Sequence, residues 1–237
     1  MADKNLPARG QNPAVAAFLG RAKALAPVAG ARAQTAKGRL IFAMDATASR
    51  QPMWERAAKI QGEMFMSARD LGGLAVQLVH YGGLGSFAAS PWADNAADLV
   101  KRMVAVRCEA GETQIANVLR HAAVETRAQK VGALVFVGDA VEESGDLLAG
   151  LAGQLALAGL PVFVFHEGGD PVARQTLQTI ARLTRGAYCP FDANAPDALK
   201  NLLAAAAAYA AGGRTALADF GKRAGGGAAT ALLAQLK

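Results

Sequence analysis

The chain has 237 residues, 52% hydrophobic and 19% charged, which fits one sizeable globular domain with flanking segments and excludes a disordered or fibrous chain. Its net charge of +6 is uneven: residues 1–39 carry +6 and residues 212–237 carry +3, leaving −3 for the middle. The basic excess therefore lies outside the expected core, which argues against the folded basic face that specific nucleic-acid binding needs.

Residues 1–37 mix Ala, Pro, Gly and basic residues and read as an arm, with one short helix in "NPAVAAFLGRAKALA". Arg21 and Lys23 cut the apolar patch short, which makes a poor signal peptide, and no stretch reaches the ~20 apolar residues of a membrane span. The expected location is the cytoplasm. From Arg39 the pattern changes. "RLIFAM" reads as a strand, "PMWERAAKIQGEMFMSARDL" as a helix, "GLAVQLVHY" as a second strand with "GSFAAS" a short third beside it, and "DNAADLVKRMVAV" as a helix. After the loop "RCEAGET", the helix "QIANVLRHAAVETRAQ" leads into "GALVFVG", a continuous apolar run of the kind buried on both faces of a parallel sheet. "SGDLLAGLAGQLALAG" is a helix, "LPVFVFH" a second buried strand, "DPVARQTLQTIARLTRG" a helix, "AYCPF" a last strand, and "APDALKNLLAAAAAYAA" a closing surface helix. The alternation predicts an α/β domain over residues 38–211, doubly wound around a mainly parallel sheet with helices on both faces. Residues 212–237, with three consecutive glycines, read as a basic tail with a flexible hinge and a short terminal helix.

In an open parallel sheet, ligands bind beyond the carboxyl ends of the strands. Three segments bring oxygen-bearing side chains there: "DATAS", with Asp45, Thr47 and Ser49 after the first strand; Thr113, between the "CEAGE" loop and a helix; and Asp139, after "GALVFVG". Two carboxylates and three hydroxyls suit a hard divalent cation, Mg²⁺ or else Mn²⁺ or Ca²⁺, whereas zinc or copper would ask for His or Cys. Taken singly, each residue also has an ordinary role: Ser49 and Thr113 as helix N-caps, Asp139 as a turn residue.

The spacing Asp45-x-Thr47-x-Ser49, then Thr113, then Asp139 resembles the metal-ion-dependent adhesion site (MIDAS) of von Willebrand factor A (VWA) domains, whose pattern is DxSxS with a distant Thr and a distant Asp. The resemblance covers residues 38–211 and implies a Rossmann-like VWA fold. It also implies a metal held by Asp45, Thr47, Ser49, Thr113 and Asp139, with one coordination position open for an Asp or Glu of a partner protein. Three departures stand out: Thr47 for Ser, Glu112 where Gly is frequent, and Ala140 after Asp139 where Gly is common. The function expected is a non-enzymatic, cation-dependent protein-binding module. The alternatives are a phosphoryl-transfer or hydrolase enzyme with Asp45 as nucleophile, and a metal-free scaffold. "DATAS" lacks the second carboxylate and the basic group that phosphoryl transfer wants close by, and no GxGxxG opening a helix, GxxxxGK[ST], GxSxG or HExxH occurs. His80, His121 and His166 read as packing or surface residues, Trp54 as core, and Cys108 and Cys189, in no CxxC or Cys/His cluster, as reduced thiols.

Overall fold

The structure, a computed structural model, describes residues 37–68, 72–192, 196–223 and 226–236. The arm expected over 1–37 lies outside them except for Lys37. Among the described residues six strands form one sheet: β1 (Gly38–Asp45), β2 (Leu74–Gly82), β3 (Ser86–Ala89), β4 (Ala133–Gly138), β5 (Val162–Glu167) and β6 (Ala187–Phe191). Their order is β3-β2-β1-β4-β5-β6, with β3 antiparallel to β2 and every other pairing parallel. The helices are α1 (Gln51–Lys59), α2 (Gln61–Ala68), α3 (Ala96–Ala105), α4 (Ile115–Ala128), α5 (Gly145–Leu157), α6 (Pro171–Leu183), α7 (Pro196–Arg223) and α8 (Gly227–Gln235). The single helix expected after β1 is two, because the chain leaves helical geometry at Ile60.

Successive strand residues point to opposite faces, so continuous apolar runs feed two cores at once. Leu40, Phe42, Met44, Val135 and Phe163 pack with Trp54 of α1, Met64 of α2 and Leu203 of α7. Ile41, Ala43, Leu134, Phe136 and Val164 pack on the other face with Leu119 of α4, Leu148 of α5 and Leu177 of α6. The doubly wound α/β sheet is as expected.

The C-terminal third differs from the sequence reading. Ala204–Ala208 do not lie on a surface helix; all five are buried. Small side chains let α7 run close against the strands: a Cβ on Gly38 would stand 2.4 Å from Ala211 Cα, and one on Gly132 2.4 Å from Ala210 O. The segment expected as a tail, 212–237, belongs to the compact unit Ala36–Lys237. Gly212 and Gly213 only kink α7, Gly213 at φ +67°, and Leu217, Ala229 and Leu232 beyond them are fully buried. Gln235 of α8 then closes the sheet edge, its side-chain amide accepting from Tyr188 N (2.8 Å) and donating to Tyr188 O (3.0 Å) of β6. With Pro190 lacking an N–H, that edge offers little to a foreign strand. Among the described residues no helix is long and apolar enough to cross a membrane. Burial pushes the Cys108 and Cys189 thiols up to about 11, which leaves both protonated and unreactive.

Candidate functional site

β1 and β4 are neighbours, yet the chain leaves β1 toward β2 on one side and β4 toward β5 on the other. The loops at their carboxyl ends therefore diverge and open a crevice. Asp45, the last residue of β1, is 1% exposed. Its backbone is fixed by Trp54 Nε1, which donates to Asp45 O at 2.7 Å, and by Ala46 N donating to Tyr81 O at 2.8 Å. The carboxylate accepts the Thr47 N–H at 2.7 Å. Burial pushes the Asp45 pKa above the usual carboxylate range; the bonds from Thr47 oppose this, the Asp139 charge adds to it, and Arg50 opposes it. Thr47 is half-buried, and Ser49 is exposed on a single 3₁₀ turn, Ala48–Arg50. The residues that cap α1 and α4 are Arg50 and Gln114, so Ser49 and Thr113 are not the N-caps that their types would suit.

Thr113 comes from a loop pinned to the β2–β3 turn. Gly83 N donates to Glu109 O at 3.1 Å, and a Cβ on Gly111 would stand 2.0 Å from Gly83 O. The close approach is thus made at Gly111, and Glu112 beside it points its exposure to solvent. Two other acids grip Thr113. Its hydroxyl donates to Glu143 Oε2 (2.5 Å) and accepts from Glu142 N (2.9 Å), while its own N–H donates to Glu142 Oε2 (2.6 Å). Glu143 is braced by Ala116 N at 3.0 Å.

Asp139 follows β4, and its carbonyl lies 3.2 Å from Nε2 of His166, whose Nδ1 is 2.7 Å from the Tyr188 hydroxyl. A carbonyl only accepts, so Nε2 carries the proton and Nδ1 accepts from Tyr188. This buried histidine aims the loop that carries Asp139. The Asp139 carboxylate faces Arg50 Nη1 at 3.5 Å, and the same nitrogen is paired with Glu167 at the end of β5. Arg50 is 3% exposed, and among the described residues its Nε and Nη2 have no hydrogen-bond partner. Each buried donor left unpaired costs about 1–3 kcal/mol. The Tyr81 hydroxyl, on the β2 residue opposite Asp45, is also buried without a partner among the described residues. Burial raises the Tyr81 pKa well above its usual value, with Asp45, Glu143 and Asp139 adding to the rise.

The crevice therefore gathers Asp45, Thr47, Thr113 and Asp139 around it, with Ser49 at the rim. Arg50, Tyr81, Glu142, Glu143 and Glu167 belong to it and were not singled out in the sequence, and His166, read there as a packing or surface residue, is a buried residue that holds the Asp139 carbonyl. Among the described residues no three of His, Cys, Asp and Glu form a metal-holding group, so an ion here needs hydroxyls beside Asp45 and Asp139. The donor set fits a hard divalent ion in kind, being all oxygen with two carboxylates and an orphan phenol close by. Thr113 and Asp139 are, however, engaged by Glu143 and Arg50.

No family model matches the sequence, and no curated protein matches it. Solved structures do match. The VWA domain of SpRpn10 superposes with a TM-score of 0.53 at 12% identity, over 66% of this chain and 88% of that one. The fold is that of VWA domains. An aerotolerance-related membrane protein from Bacteroides fragilis matches at TM-score 0.52 and 17% identity, over 70% of this chain and 96% of that one. Proximal thread matrix protein 1 from the mussel byssus, solved with a zinc-occupied MIDAS motif, matches at TM-score 0.52 and 16% identity, over 75% of this chain and 46% of that one. At such identities the likeness is one of fold, and the site of this VWA-like chain rests on its own residues.

Proposed function

We propose that the protein is a divalent-cation-dependent protein-binding module. Asp45 and Asp139, with the hydroxyls of Thr47, Ser49 and Thr113, would hold Mg²⁺, or Mn²⁺ or Ca²⁺, and the ion would supply a positive centre for an Asp or Glu of a partner protein. The observation that carries this reading is the convergence of an oxygen-only donor set on the switch point of a VWA fold. The MIDAS of the mussel protein supports it as a precedent on the same fold. A nucleophilic role for Asp45 has less support, since its carboxylate is almost wholly buried and tied to Thr47. The metal-free reading has one observation in its favour, the pairing of Asp139 with Arg50.

The test is thermal. An ion at ten times its dissociation constant stabilises a protein by about 1.4 kcal/mol, roughly 3–6 °C in a chain of this size. Mg²⁺, Mn²⁺ or Ca²⁺ should produce such a rise, and Asp45→Ala or Asp139→Ala should abolish it. No rise with any of the three, in the wild type or in Arg50→Gln, overturns the reading.

A further inference from the structure

We propose that Arg50 is a resident cation of this site, a built-in latch that a divalent ion must displace. The inference rests on the metal reading above and concerns its regulation. Arg50 sits one residue beyond the Asp45–Ser49 segment, yet its side chain is buried rather than solvated, and it reaches from the end of β1 to the end of β5. Its Nη1 stands between Asp139 and Glu167, which gives the crevice a positive charge beside a carboxylate expected to ligate the metal. A guanidinium paired with Asp139 takes up the negative charge that would draw a metal, and a metal at Asp139 would repel the guanidinium. The two cations are therefore alternatives at Asp139.

The latch is poised rather than locked. One nitrogen makes both ion pairs, while Nε and Nη2 are buried without acceptors among the described residues, so the closed state leaves most of the guanidinium's donors unused there. The Tyr81 hydroxyl is orphaned in the same region. Thr113 shows the matching arrangement on the other side: its hydroxyl is occupied by Glu143, held at a helix N-terminus by Ala116 N. Metal entry would free Arg50 and release the Thr113 hydroxyl from Glu143. Glu167 and Glu143 are thus the partners of the closed state, neither belonging to the proposed metal ligands.

The test is Mg²⁺ binding by the full chain, followed by calorimetry, for the wild type, Arg50→Gln and Glu167→Gln. Removing the resident cation should tighten Mg²⁺ at least tenfold in Arg50→Gln. Near 0.15 M ionic strength, where the long-range charge of Glu167 itself counts little, removing this second anchor, which leaves every proposed ligand intact, should tighten it several-fold in Glu167→Gln. In the wild type, the Arg50 Nε–H should be protected from solvent exchange without metal, and Mg²⁺ should remove the protection; a merely structural arginine would keep it. Equal Mg²⁺ affinity in all three proteins, or Arg50 protection unchanged at saturation, overturns the latch and leaves the metal reading standing. Absence of binding in all three overturns both.

Discussion

Asp45 is a carboxylate that the fold tolerates at a cost. The residue is buried at the end of a central strand, and its pKa is raised by that burial above the ordinary value of 3.8. A carboxyl group with a raised folded pKa weakens the fold wherever it is ionised: the cost is absent below about pH 3.8 and grows as pH rises through the folded pKa. Asp45→Asn keeps an acceptor for the Thr47 N–H and removes the charge. In EDTA the variant should melt higher than the wild type at pH 7, by about 2–4 °C for a gain on the order of 1 kcal/mol, and the difference should shrink toward pH 4. With Mg²⁺ the order should reverse, because only the wild type keeps the ligand. An unchanged or lower melting temperature in EDTA at pH 7 would show that Asp45 is stabilised by partners rather than penalised. This residue was legible in the sequence because a carboxylate directly after an apolar strand run is placed by the strand itself. Arg50 was not: its partner Glu167 is 117 positions away, and nothing local to "ASRQ" says that the side chain turns inward. Glu143 was missed for the same reason, its bond to Thr113 spanning 30 positions.

At the scale of elements, the parallel strands were readable because their apolar runs feed two cores, and the helices of the middle because their spacing exposes one face. The end of the chain was not readable by those signals. Alanine is a strong helix former that carries almost no information on burial, and the buried course of α7 comes from its partner's glycines rather than from its own hydrophobicity. Gly132→Ala should therefore destabilise the domain by about 1–3 kcal/mol, since its Cβ would meet backbone that cannot move aside. Denaturant unfolding would measure this, and a cost under about 0.5 kcal/mol would mean that α7 is free to shift. Ending the chain after Arg223 should also destabilise it, exposing the surfaces that α8 covers with Ala229 and Leu232 and the β6 edge that Gln235 closes. A shortened chain as stable as the whole would instead support the reading of the residues after Arg223 as part of a tail.

At the scale of the molecule, charge is sorted by position. Nine of the chain's 19 acidic residues fall at the carboxyl ends of β1, β4 and β5 or in the loop before α4: Asp45, Glu109, Glu112, Asp139, Glu142, Glu143, Asp146, Glu167 and Asp170. Arg50 and Arg107 are the basic residues in the same segments, so this end is strongly negative although the chain as a whole is positive. Such a field concentrates cations at the crevice before any ligand is engaged, and it opposes an acidic partner until a cation is in place. Metal affinity should then contain a long-range part carried by residues that never touch the ion. The triple change Glu109→Gln, Glu112→Gln and Asp146→Asn removes three such charges and leaves the five expected ligands, Glu142 and Glu143 unaltered. At low salt it should weaken Mg²⁺ by about three- to tenfold, and near 0.15 M ionic strength, where the screening length is about 8 Å, the difference should fall to about twofold or less. Titrations of both proteins at several salt concentrations decide the matter. A loss that persists at high salt would place one of the three carboxylates on the ion itself, Glu112 beside Thr113 first among them; no loss at low salt would show that the crevice is shielded from the acidic end that surrounds it.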